Sequence, residues 1–248
     1  MTSDRDAIDT QSAPSGLVVA IDGPASSGKS TVGAEAARRL GYRFCDTGLL
    51  YRAVTWLALE RGVAPTDVAA VVPLATEVEL VADSRGRLCH VHAEGHDITE
   101  AVREAAVDRA VSDYARVSEL RAALVTRQRE IAERGGIIMA GRDIGTTILP
   151  DASVKIYLDA SPEERARRRA TERNTTDTQE AEQILAELRR RDTIDATRET
   201  APLRIAPDAL IVRTDGTSFE ATVGAVVRAI RHAAPTVETP AAGRDSGR

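Results

Sequence analysis

Eight consecutive residues constrain this chain more than any others. Gly23-Pro24-Ala25-Ser26-Ser27-Gly28-Lys29-Ser30 fits the pattern G-x-x-x-x-G-K-[ST], with Thr31 next in line. A short apolar run, Leu17–Asp22, leads into it, and a stretch with helical apolar spacing, Lys29–Leu40, follows. Strand, glycine-rich turn and helix form the context in which this pattern cradles phosphate. Glycine lets the backbone curl until successive N–H groups point inward, at a helix N-terminus whose dipole favours an anion. In such a loop Lys29 reaches the β- and γ-phosphates of a nucleoside triphosphate and the Ser30 hydroxyl can ligate Mg²⁺. The bland alternative is a chance glycine-rich turn. Composition weakens it: of 33 basic residues only Lys29 and Lys155 are lysine, and one of these two stands where the pattern demands it. The arginine excess itself reflects codon bias.

Strand-like apolar runs recur at Phe44–Asp46, Gly136–Ala140, Val154–Asp159 and Ala209–Thr214. Each is short and mostly apolar, as a strand buried on both faces should be. Helical spacing marks Lys29–Leu40, Leu49–Glu60, Glu119–Arg134, Pro162–Arg173, Glu180–Arg191 and Ser218–His232. Ser161-Pro162-Glu163-Glu164 reads as a capped helix start. The alternation predicts an α/β fold, a three-layer sandwich with a five-stranded parallel sheet between helices. Residues 74–115 break the rhythm. Val78–Ala82, Leu88–Ala93 and His96–Thr99 suggest short antiparallel strands, with a turn at Asp83-Ser84-Arg85-Gly86, in a small α/β insertion. Residues 1–15 and 233–248 lack apolar periodicity and read as disordered tails flanking a domain over 16–232.

The chain of 248 residues carries a formal charge of −5, against the basic excess of a general nucleic-acid or membrane-surface binder. An anionic ligand must therefore be held by a local arginine cluster. Cys45 and Cys89 stand far apart, no apolar run reaches a membrane span, and the N-terminus is polar and acidic. We expect a cytoplasmic protein acting as a monomer on small molecules, without nucleic-acid or membrane partners. His90, His92 and His96 have no matching carboxylate or cysteine spacing and read as surface histidines in the insertion.

Several classes share such a phosphate loop. A GTPase switch needs N-K-x-D, and Lys155, in Val154-Lys155-Ile156, has no preceding Asn. A motor ATPase needs a strand ending in Asp-Glu, whereas Leu158-Asp159-Ala160 supplies Asp alone. A regulatory module that binds ATP without turnover stays open as a rival. Four further stretches point elsewhere. Ile21-Asp22-Gly23-Pro24-Ala25, then Asp46-Thr47-Gly48-Leu49-Leu50-Tyr51-Arg52, then Gly141-Arg142-Asp143-Ile144-Gly145-Thr146, then Arg190 through Arg198 (RRDTIDATR) occur in that order. Together they resemble the bacterial-type cytidylate kinases of the P-loop nucleoside monophosphate kinases, over roughly residues 17–232.

The resemblance implies transfer of the ATP γ-phosphoryl group to CMP or dCMP, with Mg²⁺ accompanying ATP. It assigns Arg52, Arg142 and Arg198 to the acceptor phosphate, with Thr47 adding a hydroxyl. It puts Arg191 and Asp195 near the sugar 2′-hydroxyl, and Ser112, Arg121 and Asp143 around the pyrimidine. For Arg191 and Asp195, four apart on one helix, an ordinary surface ion pair is the alternative; for Asp143 it is a metal or water contact. Tyr51 falls in an acceptor motif and is counted among the CMP-binding residues, while the apolar stripe it shares with Trp56 reads as core rather than as a base-stacking platform. The resemblance also implies an acceptor-binding insertion near 74–115. A mobile lid is expected near 165–180, from which Arg165 and Arg169 would reach ATP on closure.

Overall fold

A computed structural model describes residues 16–233. The expected tails over 1–15 and 233–248 lie outside the described residues, except for Ala233, which ends the last helix. The apolar strands β1 (Val18–Asp22), β2 (Arg43–Asp46), β6 (Ile137–Gly141), β7 (Val154–Asp159) and β8 (Leu210–Arg213) pair in parallel in the order β2-β6-β1-β7-β8. The helices between them are α1 (Lys29–Leu40), α2 (Gly48–Glu60), α3 (Val68–Val71), α4 (Ala105–Tyr114), α5 (Ser118–Glu133), α6 (Pro162–Glu172), α7 (Thr178–Thr197) and α8 (Phe219–Ala233).

Alternation along each strand builds two cores. Val19 and Ile21 of β1, with Ile138 of β6, face Val32 and Ala36 of α1 and Val223 and Val226 of α8. Ala20, Ile137 and Met139 point the other way, onto Leu50 and Leu57 of α2 and Leu120 and Leu124 of α5. Cover on both faces explains why the central strands β1 and β6 are apolar at every position but Asp22.

The strand count differs from expectation. Instead of a separate insertion sheet, β3 (Val78–Ala82), β4 (Arg87–Ala93) and β5 (His96–Asp97) extend the main one. β4 runs parallel to β2 through Phe44↔Arg87 and Cys45↔Leu88, so the sheet has eight strands, six of them mutually parallel. β3 and β5 pair antiparallel with β4. The physical reason is β2's free edge: an unpaired row of N–H and C=O groups beside a hairpin is satisfied by pairing with it. Val78, Leu80 and Val91 then complete the core above α2.

Ser161 caps α6 by accepting from Glu164 N, and Asp177 caps α7 by accepting from Gln179 N and Glu180 N. The α6–α7 pair has a small apolar core of its own, in which Ala166, Ile184 and Leu188 close over Ala25 of the glycine-rich loop. α7 runs six residues beyond the expected end at Arg191, which puts Arg191 and Asp195 on one continuous helix.

Candidate active site

The C-terminal ends of β1, β2 and β6 open into a cavity of about 730 Å³ bordered by the residues after Pro24 of the loop. Gly23 has φ +151°, and a Cβ there would stand 2.2 Å from the Leu158 carbonyl oxygen, so only glycine lets the loop leave β1 this close to β7. Gly28, at φ +95°, begins α1 without any side-chain cap. The first N–H groups of that helix are thus left for an anion. Ala25, Ser26, Ser27, Gly28, Lys29, Ser30 and Thr31 all border the cavity. The buried Lys29 ammonium donates to the Pro24 carbonyl oxygen at 2.6 Å and lies 3.4 Å from Ser27 Oγ. Burial, seconded by the Arg142 charge, pushes its pKa well below the usual lysine range. The negative charge of a triphosphate would offset both effects.

Ser30 donates to the Asp46 carboxylate at 2.5 Å, at the end of β2. A hydroxyl beside a carboxylate is a hard-oxygen donor pair, which suits Mg²⁺. Among the described residues no cluster of three or more His, Cys, Asp or Glu side chains could hold a metal. The protein would therefore supply a minority of the ligands, as is usual where substrate phosphates and water complete the shell.

Asp22, the last residue of β1, ties the two halves of the cavity together. Its carboxylate accepts from Ile144 N at 2.8 Å and Gly145 N at 2.7 Å, pinning the wide turn Ile144–Ile148 just after Arg142 and Asp143. Burial outweighs these two bonds and pushes its carboxyl up to about 6.

Across the cavity stand the residues expected around an acceptor. Thr47 donates to the Ala140 carbonyl oxygen at 3.0 Å. Arg142 Nε donates to Asp195 at 2.9 Å, and Arg52 and Arg191 both donate to Asp108, at 2.5 Å and 2.8 Å. Arg191 and Asp195 thus face the cavity with separate partners and do not form the i,i+4 surface pair. Asp143 is buried and accepts from Arg121 at 2.5 Å and Arg198 at 3.1 Å, with the Arg121 guanidinium 5.2 Å above the Tyr51 ring. Tyr51 therefore both packs in the core and supports a cavity-lining arginine. Ser112, from α4, is buried at the same wall.

Three expected residues do not border the cavity: Gly23, Pro24 and Arg165. Arg165 is a correction. It was expected on a mobile face beside Arg169, but it is buried beneath the loop, donating to Ala160 O, Ala25 O and both oxygens of Asp192. The packing of α6 on α7 turns that face inward. Arg169 does border the cavity, and it donates to Asp108.

The profile of the cytidylate kinase family matches residues 19–232. The chain belongs to the cytidylate kinase family. It is 45% identical over 217 residues to a cytidylate kinase of Geobacillus thermodenitrificans (strain NG80-2), covering 86% of this chain and 96% of that one. It is 46% identical over 217 residues to the cytidylate kinase of Geobacillus kaustophilus (strain HTA426), with the same coverage. It is also 42% identical over 230 residues to a bifunctional pantoate ligase/cytidylate kinase of Prochlorococcus marinus (strain MIT 9313). That match takes in 92% of this chain and 46% of the relative, so the chain spans about half the length of the bifunctional protein.

This cytidylate kinase family member also has cavity residues the sequence reading missed. Asp46 stands inside a recognised motif, and its position at a strand's C-terminal end, where α/β sheets bind ligands, was the available signal. Beyond Gly28 the cavity is lined by Thr214, Thr217, Phe219 and Thr222, with Arg168 donating to Thr214 Oγ1 and O and to Ser27 O. No local pattern marks these, because they converge only when β8 and α8 close on α1.

Proposed function

We propose that the chain transfers the γ-phosphoryl group of ATP to CMP or dCMP, giving ADP and CDP or dCDP, in pyrimidine nucleotide metabolism. One observation carries the reading: a single cavity joins an uncapped phosphate loop to a wall of arginines from α2, α5, α7 and the end of β6. The loop residues from Ala25 to Thr31 hold the donor phosphates, and Thr214, Thr217 and Phe219 flank its base. Arg52, Arg142 and Arg198, with Thr47, take the acceptor phosphate; Arg191 and Asp195 take the sugar. Ser112, Arg121, Tyr51 and Asp143 surround the pyrimidine, where the ionised Asp143 accepts from cytosine's amine and would repel uracil's carbonyl oxygen.

The acceptor is already an anion, so no side chain has to remove a proton. The work left for the protein is alignment and charge neutralisation. Lys29 neutralises the transferring group from the loop side, Arg142 and Arg198 from the acceptor side, and Asp22 holds the two sides at fixed spacing. Ser30 and Asp46 would hold Mg²⁺, which supplies charge stabilisation on the donor phosphates when bound. We assign acceptor binding to an insertion near 74–115 and water exclusion to a lid near 165–180, with Arg169 as its contact to the nucleotides. Two free cysteines suit a cytoplasmic setting, and the proposed mode of action is that of a monomer on small molecules.

A coupled assay of ADP release with a panel of nucleoside monophosphates tests the reading. ADP release that depends on CMP or dCMP supports it. Release independent of acceptor, or none with any acceptor, sinks it.

A further inference from the structure

Asp108 lies in the first turn of α4 and is buried. Its two oxygens hold guanidinium groups from three other helices. Oδ1 accepts from Arg52 of α2 and Arg191 of α7; Oδ2 accepts from Arg169 of α6 and, at 3.5 Å, from Arg173 just past that helix. Burial works against ionisation here, yet Arg191, Arg52 and Arg169 together hold the carboxyl well below the usual carboxylate range.

One carboxylate cannot neutralise four guanidinium groups. Among the described residues, the other acids in ion-pair reach of these four are Glu172 and Glu187, both exposed to water. Arg191 Nε is buried with no partner at all. Planar donors converging in excess on a small anion are the arrangement that suits phosphate, which offers one more oxygen and one more charge than a carboxylate.

We propose that Asp108 is an internal surrogate for the acceptor's phosphate. It keeps Arg52 and Arg191 assembled in the free protein, and the acceptor binds by exchanging its phosphate for this carboxylate on Arg52, which frees Arg191 for the sugar. The proposal rests on the acceptor assignment made above. It makes Asp108 a positioning residue that preorganises the site while lowering its affinity for phosphate. A nucleoside without a phosphate does not enter the exchange.

Titration calorimetry of CMP and of cytidine, on the wild type and on Asp108→Asn, tests this. CMP should bind the variant at least roughly 5-fold more tightly, with cytidine unchanged. CMP affinity that is unchanged or weaker, or cytidine affinity that moves in step with it, overturns the proposal. Wild-type protein that binds CMP no better than cytidine overturns the acceptor assignment itself, and the surrogate with it. Thermal melts in inorganic phosphate against chloride, at matched ionic strength, cover a variant that folds poorly. Phosphate should raise the Tm of the variant more than that of the wild type, or rescue its folding. An equal gain, or none, refutes the exchange.

Discussion

Replacing Asp143 by asparagine separates the base-reading role from the structural one. Asp143 is 4% exposed and accepts from Arg121 and Arg198, which are themselves 2% and 5% exposed. Asparagine keeps the shape but removes the charge, and it turns an NH₂ donor toward groups that can only donate. Breaking a buried ion pair on one side costs roughly 3–5 kcal/mol. At about 2–4 °C per kcal/mol for a chain of this size, the Tm should fall by roughly 6–20 °C. The effect on discrimination is separate. An acceptor facing an acceptor costs roughly 1–3 kcal/mol, so losing that penalty should narrow the CMP-over-UMP ratio of kcat/KM by about 5- to 150-fold. Both quantities are measured on one preparation: melting by circular dichroism, and steady-state kinetics with each acceptor below the new Tm. A lower Tm with an unchanged CMP/UMP ratio would refute base reading by Asp143 and leave it a purely structural counter-ion.

Lys29→Met should lower kcat by at least about 100-fold, the scale of losing one preorganised transition-state charge, while the Tm holds, because burial and Arg142 already disfavour that ammonium; near-normal turnover would remove Lys29 from the mechanism. Asp22 is raised from 3.8 to about 6, so the folded state keeps a proton that the unfolded chain gives up. Stability should therefore fall as pH rises from about 4 to about 6, by about 3 kcal/mol for this group, and stay lower above that. Urea unfolding of wild type and Asp22→Asn across that range should give curves that differ by this amount, and parallel curves would contradict it. Arg165→Met should lower the Tm by roughly 5 °C or more, because the Ala25 and Ala160 carbonyls and Asp192 lose a buried partner; an unchanged Tm with a raised KM for ATP would return Arg165 to direct nucleotide contact.

Residues whose role is set by short-range geometry were legible in the sequence. The turn from β1 into α1 is fixed by Gly23 and Gly28 within a few residues, and the burial of β1 on both faces shows in its unbroken apolar run. The Ser161 cap of α6 follows from four adjacent residues. Features that depend on distant packing were not legible. β4 joins β2 only because the fold leaves β2 an edge, and no residue within the hairpin announces it. Arg165 and Arg169 share a helix face by spacing, yet α7 and the loop bury the first and Asp108 draws off the second. Asp108 itself sits outside every motif. Its significance arises only when α2, α4, α6 and α7 meet around it.

Phosphorus NMR of the protein with ATP, Mg²⁺ and CMP follows the central claim atom by atom. The account predicts that the CMP resonance declines as the α and β signals of CDP and ADP grow together in equal amounts, with no free phosphate. The appearance of inorganic phosphate while CMP stays intact, or an unchanged spectrum, would contradict it.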